Sequence, residues 1–126
     1  MPNAPIGISE DAIERLLPYA DGQSLRDARI RTAAPWAWMP RLLGAGAVTL
    51  RNDICMKPGL YRETDAGGLA LLAHECRHVR QYRELGTLRF LLQYLIGAIQ
   101  VRFVHDAHPL ELEPEAIQAR ALVELA

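Results

Sequence analysis

The sequence predicts an α+β fold that is mostly helical, with a small sheet or hairpin before a central helix. An apolar stripe with helical spacing runs along Leu69–Val79, and a longer apolar segment follows at Leu88–Val104. Strand-forming residues concentrate in Ala47–Tyr61. The length of 126 residues suits one hydrophobic core, so we expect a single domain over 1–126.

Charge and cysteine content exclude several classes of protein. The 14 basic and 15 acidic residues nearly cancel, which gives no electrostatic basis for binding nucleic acid or an anionic membrane. Two cysteines, Cys55 and Cys76, do not make a disulfide framework. The N-terminal stretch lacks the basic and apolar parts of a signal peptide, so the expected localisation is cytoplasmic by default.

The N-terminal quarter predicts one helix, a turn and a short strand. Ser9 is placed as the N-cap of a helix that directs Ile13, Leu16 and Leu17 inward and ends near Pro18. The stretch "DGQS", residues 21–24, indicates a turn. Small and apolar residues alternate with charged ones after it, which suggests a short strand within Leu25–Pro35.

Trp36 and Trp38 lie in a stretch that we interpret as a short helix and a loop. Two roles are open for these rings. They pack in or over the core, which is the commoner role of aromatic side chains, or they form an apolar wall of a substrate cleft.

The strand region Ala47–Tyr61 predicts a hairpin that turns at Asn52-Asp53. Thr64 or Asp65 can cap the following helix, which should end at Gly86. The apolar segment Leu88–Val104 contains four polar or charged residues, which favours a buried core helix over a membrane span or anchor. An alanine- and leucine-rich helix should close the chain.

The central helix carries the string His-Glu-x-x-His in "LLAHECRHVRQY". His74 and His78 are four residues apart, so a helix places both imidazoles on one face, where they can bind one ion. Zinc held by two histidines and a carboxylate, with one position open to water, is a catalytic arrangement, and Glu75 is then placed as general base. Cys76 points away from this face and is expected to be a small buried or half-buried side chain. Two solvated histidines on a surface helix are the alternative, but the surrounding segment is apolar.

A third ligand is available in the downstream segment "HPLELEPEA", residues 108–116. Glu111, Glu113 and Glu115 stand at alternate positions where the last helix begins, and His105 and His108 are close in sequence. Carboxylates also favour helix N-termini because of the helix dipole.

These motifs resemble a known family. The stretch "GLALLAHECRHVRQYRELG" resembles the zinc-peptidase-like domain attached to bacterial contractile injection systems, with its "LLAHELTHVVQQ"-type helix, and more broadly the gluzincin metallopeptidases. The upstream "AVTLRNDICMKPGLYRETDAGGLALL" and the downstream "HPLELEPEA" are similar to the flanking segments of that domain. The resemblance covers about residues 45–119. Cys76 and Arg77 replace the commoner Leu and Thr between the histidines.

The resemblance implies a minimal zincin-like fold, a Zn²⁺ cofactor and hydrolysis of peptide bonds by zinc-bound water. His74 and His78 match the zinc ligands and Glu75 the base. Alignment on Pro109 makes Glu111 the third ligand, which we favour, whereas alignment on the following Glu-Ala makes it Glu113.

The expected partner is a peptide or protein substrate. In the alternative, the domain is an inactive zinc-binding module that acts by structure or by recognising a protein. No residue is identifiable from the sequence as an oxyanion stabiliser; the chemically suitable candidates are Tyr82, Tyr94, His105 and His108.

Overall fold

A computed structural model describes residues 5–32, 46–57, 59–100 and 108–126 of the chain. Its helices are α1 (Glu10–Leu16), α2 (Gly22–Asp27), α3 (Ala66–Leu85), α4 (Thr87–Gln100) and α5 (Leu112–Leu125). Its strands are β1 (Ile6–Gly7), β2 (Arg29–Arg31), β3 (Ala47–Leu50) and β4 (Asp53–Met56). The chain is therefore mostly helical with a small sheet before the histidine helix, and the predicted fold class is confirmed.

The four strands form one mixed sheet in the order β1-β2-β4-β3. β2 pairs parallel to β4, whereas β1 with β2 and β3 with β4 are antiparallel. The β3–β4 hairpin turns at Arg51-Asn52, one residue earlier than the predicted Asn52-Asp53, because Leu50 and Asp53 are paired across the turn. Arg51 takes the positive φ of this turn, 59°, although no glycine is present.

Side-chain caps start the first two helices. The Ser9 side chain accepts a hydrogen bond from the backbone N–H of Ala12, as predicted for an N-cap. Asp21 caps α2 in the same way, so the predicted turn at residues 21–24 is wrong: these residues begin a helix. Leu17 is 48 % exposed, contrary to the prediction, because it follows the last residue of α1 and leaves the buried face.

Helix α3 forms the centre of the fold. Asp65 caps its N-terminus by accepting from the backbone N–H of Gly68, and Gly86 ends it with a φ of 84°. The predicted apolar stripe is fully buried, at Leu69, Leu72, Ala73, Cys76 and Val79. It packs with the inner residues of α1, α2 and the sheet to form the hydrophobic core.

The prediction that the next apolar segment is a buried core helix is wrong over residues 88–100; residues 101–104 of that segment lie outside the described part of the chain. In α4 only Phe90, Gly97 and Ala98 are buried. Six large apolar side chains are between 44 % and 82 % exposed: Leu88, Leu91, Leu92, Leu95, Ile96 and Ile99. The apolar character of the segment predicted a helix but not its surroundings, because a helix that is apolar all round has the same sequence whether or not another element covers it. No described helix is both long enough and apolar enough to cross a membrane.

Among the described elements, the C-terminal helix α5 packs most extensively against α3. Pro114 and Ala121 are buried in it, and Ile117 and Leu125 are packed against the core. This packing brings the start of α5 beside the histidines. Trp36 and Trp38, with their predicted helix and loop, lie outside the described residues.

Candidate metal centre

His74 and His78 project from one face of α3, as their spacing predicts. Both are buried, at 4 % and 5 % exposure, and their ring centroids are 5.1 Å apart. Their Nε2 atoms converge on a single carboxylate oxygen, Glu111 Oε1, at 3.0 Å from His74 and 2.8 Å from His78. Two histidines from one helix and a glutamate from just before another thus meet at one point.

Glu111 occupies the N-cap position of α5, yet its side chain caps nothing. The residue is 2 % exposed, and its carboxylate turns back across the α3–α5 interface. The second oxygen, Oε2, accepts a hydrogen bond of 2.8 Å from the Tyr94 hydroxyl on α4. Three helices therefore hold this carboxylate in place.

The three groups shift one another's protonation. Burial of His74 and His78 opposes protonation, but the hydrogen bonds to Glu111 and the charges of Glu75 and Glu111 outweigh it and raise the pKa of both rings. Burial likewise opposes ionisation of Glu111, yet the hydrogen bonds from the two histidines hold its pKa far below the usual range. These contacts thus favour the ionised form of Glu111.

Side-chain amides occupy the outer nitrogens of the two rings. His74 Nδ1 donates to Gln118 Oε1 on α5, and His78 Nδ1 donates to Gln81 Oε1 on α3, each at 2.8 Å. A ring that donates from Nδ1 presents Nε2 either protonated or as a free lone pair. An unprotonated Nε2 and a carboxylate oxygen are both acceptors and repel each other at this distance. Each Nε2 that faces Glu111 therefore either carries a proton or binds a cation that the carboxylate also binds.

The donor set fits zinc. Imidazole nitrogens and a carboxylate oxygen are ligands that Zn²⁺ takes in proteins, and hydrogen bonds to the outer ring nitrogens are the usual support for such histidines. Within the described part of the chain, two groups of His and Glu atoms lie within 4.8 Å of one another, namely His74, Glu75 and His78, and His74, Glu111 and Glu115. The nearest approaches are those to Glu111 Oε1, so we take His74, His78 and Glu111 as the set able to hold a metal.

Glu75 lies beside this set and is held by the sheet. It is 4 % exposed, and its Oε2 lies 3.7 Å from His74 Nε2. The Thr49 hydroxyl, on β3, is within 3.2 Å of Glu75 Oε1 and 3.3 Å of its carbonyl oxygen. One carboxylate oxygen thus contacts the sheet while the other faces the histidines.

Two other candidate ligands lie away from the convergence point. The Glu113 side chain is 53 % exposed and forms an ion pair with Arg77. Cys76 is buried in the core on the opposite side of α3, where burial strongly raises the pKa of its thiol. Glu115 is closer, with one oxygen 3.7 Å from His74 Nδ1, but on the side of the ring away from Glu111.

Among the candidate oxyanion stabilisers that the structure describes, only Tyr94 has its hydroxyl hydrogen-bonded to a residue of the candidate site, Glu111. Burial and the neighbouring Glu111 charge raise the pKa of Tyr94, so the hydroxyl remains a donor. Tyr82 stacks on Phe90, and burial raises its pKa to about 12. His108 is engaged elsewhere: its Nδ1 accepts from the Leu110 N–H, and its Nε2 donates to the Tyr94 carbonyl. His105 lies outside the described residues.

Comparison with known protein families identifies the kind of domain. The model of the eCIS core domain, which is linked to extracellular contractile injection systems, matches residues 10–86, more than half of the chain. The chain belongs to the eCIS core domain family. The match includes His74, Glu75 and His78 and ends at Gly86, before Tyr94 and Glu111. Searches of curated proteins and of solved structures gave no match.

Sequence reasoning missed the residues that support the site. Gln81 carried a usable signal, since it lies three residues after His78 and so on the same helical face. Gln118 and Thr49 carried none, because their contacts join elements that are distant in sequence.

Proposed function

We propose that this eCIS core domain is a zinc-dependent metallopeptidase-like domain in which His74, His78 and Glu111 hold the metal. The observation that carries the proposal is the placement of both Nε2 atoms within 3.0 Å of one buried Glu111 oxygen. The anionic carboxylate offsets part of the metal's charge, and the Nδ1 hydrogen bonds orient both rings toward it.

The chain's own groups supply the remaining chemistry. Bound zinc would polarise the scissile carbonyl and lower the pKa of a coordinated water to about 7. Glu75 Oε2, the oxygen not contacted by Thr49, accepts the proton of the attacking water and returns it to the leaving amine. The Tyr94 hydroxyl donates a hydrogen bond to Glu111 Oε2 and so holds this carboxylate in place.

The position of the edge strand β3 favours an extended peptide as the substrate. Among the described strands, β3 stands at one end of the sheet and pairs only with β4. Its Thr49 contacts Glu75, so a peptide added alongside β3 passes next to the proposed base. An added strand is held by backbone hydrogen bonds and needs no particular side chain.

The test is zinc content together with peptide cleavage. Reconstituted protein should bind one zinc ion, and Glu75→Gln should retain the zinc while losing at least about 10²-fold in cleavage rate. Glu84→Gln is the matched control, because Glu84 lies on the same helix but is 56 % exposed and pairs with Arg80. Absence of zinc after reconstitution would refute the site itself.

A second candidate is an inactive zinc-binding module that recognises a protein. The exposed apolar face of α4, defined by its six exposed Leu and Ile residues, favours it, because apolar patches of this kind mark sites of protein contact. Membership of a family linked to injection systems also suggests protein partners. Zinc binding without Glu75-dependent cleavage would support this candidate over the enzyme.

A further inference from the structure

Gln81 connects the two parts of the candidate metal centre. Its Oε1 lies 2.8 Å from His78 Nδ1, and its Nε2 lies 3.0 Å from the backbone oxygen of Leu110. Leu110 directly precedes Glu111, so one half-buried side chain contacts a histidine on α3 and the segment that carries the carboxylate.

The Leu110 carbonyl determines the orientation of this amide. A carbonyl oxygen only accepts hydrogen bonds, so the Gln81 NH₂ group must face it. The amide oxygen is then directed at His78, where it can only accept. His78 Nδ1 must therefore carry a proton, so Nε2, which faces Glu111, is the nitrogen that binds a metal once it has lost its own proton.

We propose that Gln81 is a positioning residue of this site: it keeps the proton on His78 Nδ1 and ties His78 to the Glu111 segment. The inference deepens the proposed function and rests on it for the metal. Leu110 also donates its N–H to His108 Nδ1, so the backbone on both sides of this residue is fixed by side chains. The amide has little freedom to turn over, because the reversed orientation places its oxygen against the Leu110 carbonyl oxygen.

Gln118 makes a related contact with His74 but differs in its surroundings. Its Oε1 also lies 2.8 Å from a ring nitrogen, yet His74 Nδ1 has the Glu115 carboxylate 3.7 Å away as a further acceptor. A substitution at Gln118 therefore leaves an alternative partner for the ring. No such carboxylate contact to His78 Nδ1 is found among the described residues, so Gln81 has the larger expected effect.

The experiment compares Gln81→Met and Gln81→Glu by zinc affinity and by nitrogen-15 spectra of the histidine rings. Methionine retains the length but neither hydrogen bond, and zinc affinity should fall by about 10- to 100-fold. The slowly exchanging Nδ1–H signal of His78 should disappear, while that of His74 should remain. Glutamate accepts from Nδ1 but repels the Leu110 carbonyl, so it should retain the His78 signal with an intermediate loss of affinity.

Gln23→Met is the matched control, because it makes the same substitution at an exposed position on α2. Wild-type zinc affinity in Gln81→Met together with an unchanged His78 Nδ1–H signal would overturn the inference. If the wild-type protein binds no zinc, the metal proposal fails, and spectra of the metal-free protein still decide the role of Gln81. There, a His78 Nδ1 without a bound proton would refute it.

Discussion

Replacing Glu111 by Gln tests the electrostatics of the site without any metal. The side chain is 3 % exposed and accepts hydrogen bonds from His74, His78 and Tyr94. Removing one partner of a buried charged pair costs about 3–5 kcal/mol. The histidines can relieve part of this cost by losing their protons, so we expect the lower limit: a loss of about 3 kcal/mol in the free energy of unfolding.

The loss should depend on pH in a defined direction. The raised pKa of His74 and His78 contributes stability that is full below their unfolded value of 6.5 and is lost as pH rises through the folded values. The lowered pKa of Glu111 contributes stability above its unfolded value of 4.5 that is lost as pH falls. The metal-free wild type should therefore be most stable between these two values, and the effect of Glu111→Gln should be largest there.

Urea unfolding in the presence of a chelator, at about pH 5.5 and about pH 8.5, measures both effects. Glu113→Gln is the control: it removes the same charge two residues away, from a side chain that is 53 % exposed, and should change the free energy of unfolding by less than about 1 kcal/mol. Equal losses in the two variants, or a Glu111→Gln loss that does not decrease at the higher pH, would show that the buried contacts between Glu111 and the histidines do not stabilise the fold in this way.

Three further predictions concern the surroundings of the site. Gly97→Ala should destabilise the protein by about 1–3 kcal/mol in thermal unfolding, because an added Cβ would lie 2.7 Å from the His108 ring; an unchanged melting temperature would contradict this contact. Asp65→Ala should lower the free energy of unfolding by about 1 kcal/mol, because it removes the N-cap of the central helix. Urea unfolding measures this loss, and Asp65→Asn should retain most of the wild-type stability. Zinc should raise the melting temperature more at about pH 8 than at about pH 6, because protons compete with the metal for His74 and His78; a shift that does not grow with pH would argue against histidine ligation.

Local signals in the sequence were sufficient for the central helix. Asp65 and Gly86 mark the two ends of this helix, and its buried apolar residues have helical spacing. The four-residue spacing of the two histidines places both on one face of the helix. These features depend on residues within one or two turns of each other, which is the range over which propensity and periodicity act.

Features that depend on contacts between distant segments were not predictable. The two-residue strand β1 exists through its pairing with β2, and its own sequence, Ile6-Gly7, contains no strand pattern. The exposure of α4 depends on which elements cover it, and the helical pattern does not contain that information.

The candidate site also has one part that the sequence predicted and one part that it did not. The four-residue spacing predicted that the two histidines share one face of the helix. The sequence did not decide whether Glu111 or Glu113 is the third ligand, since both lie where the last helix begins. Which of the two turns toward the histidines depends on how α5 packs on α3, and in the structure Glu111 does so while Glu113 pairs with Arg77.

The most direct test of zinc binding by His74, His78 and Glu111 is an anomalous difference map recorded at the zinc edge from crystals of the reconstituted protein. We expect one peak, bonded to His74 Nε2, His78 Nε2 and Glu111, with a coordination position left open to solvent. Absence of a peak, or a peak ligated by Glu113 instead of Glu111, would contradict it.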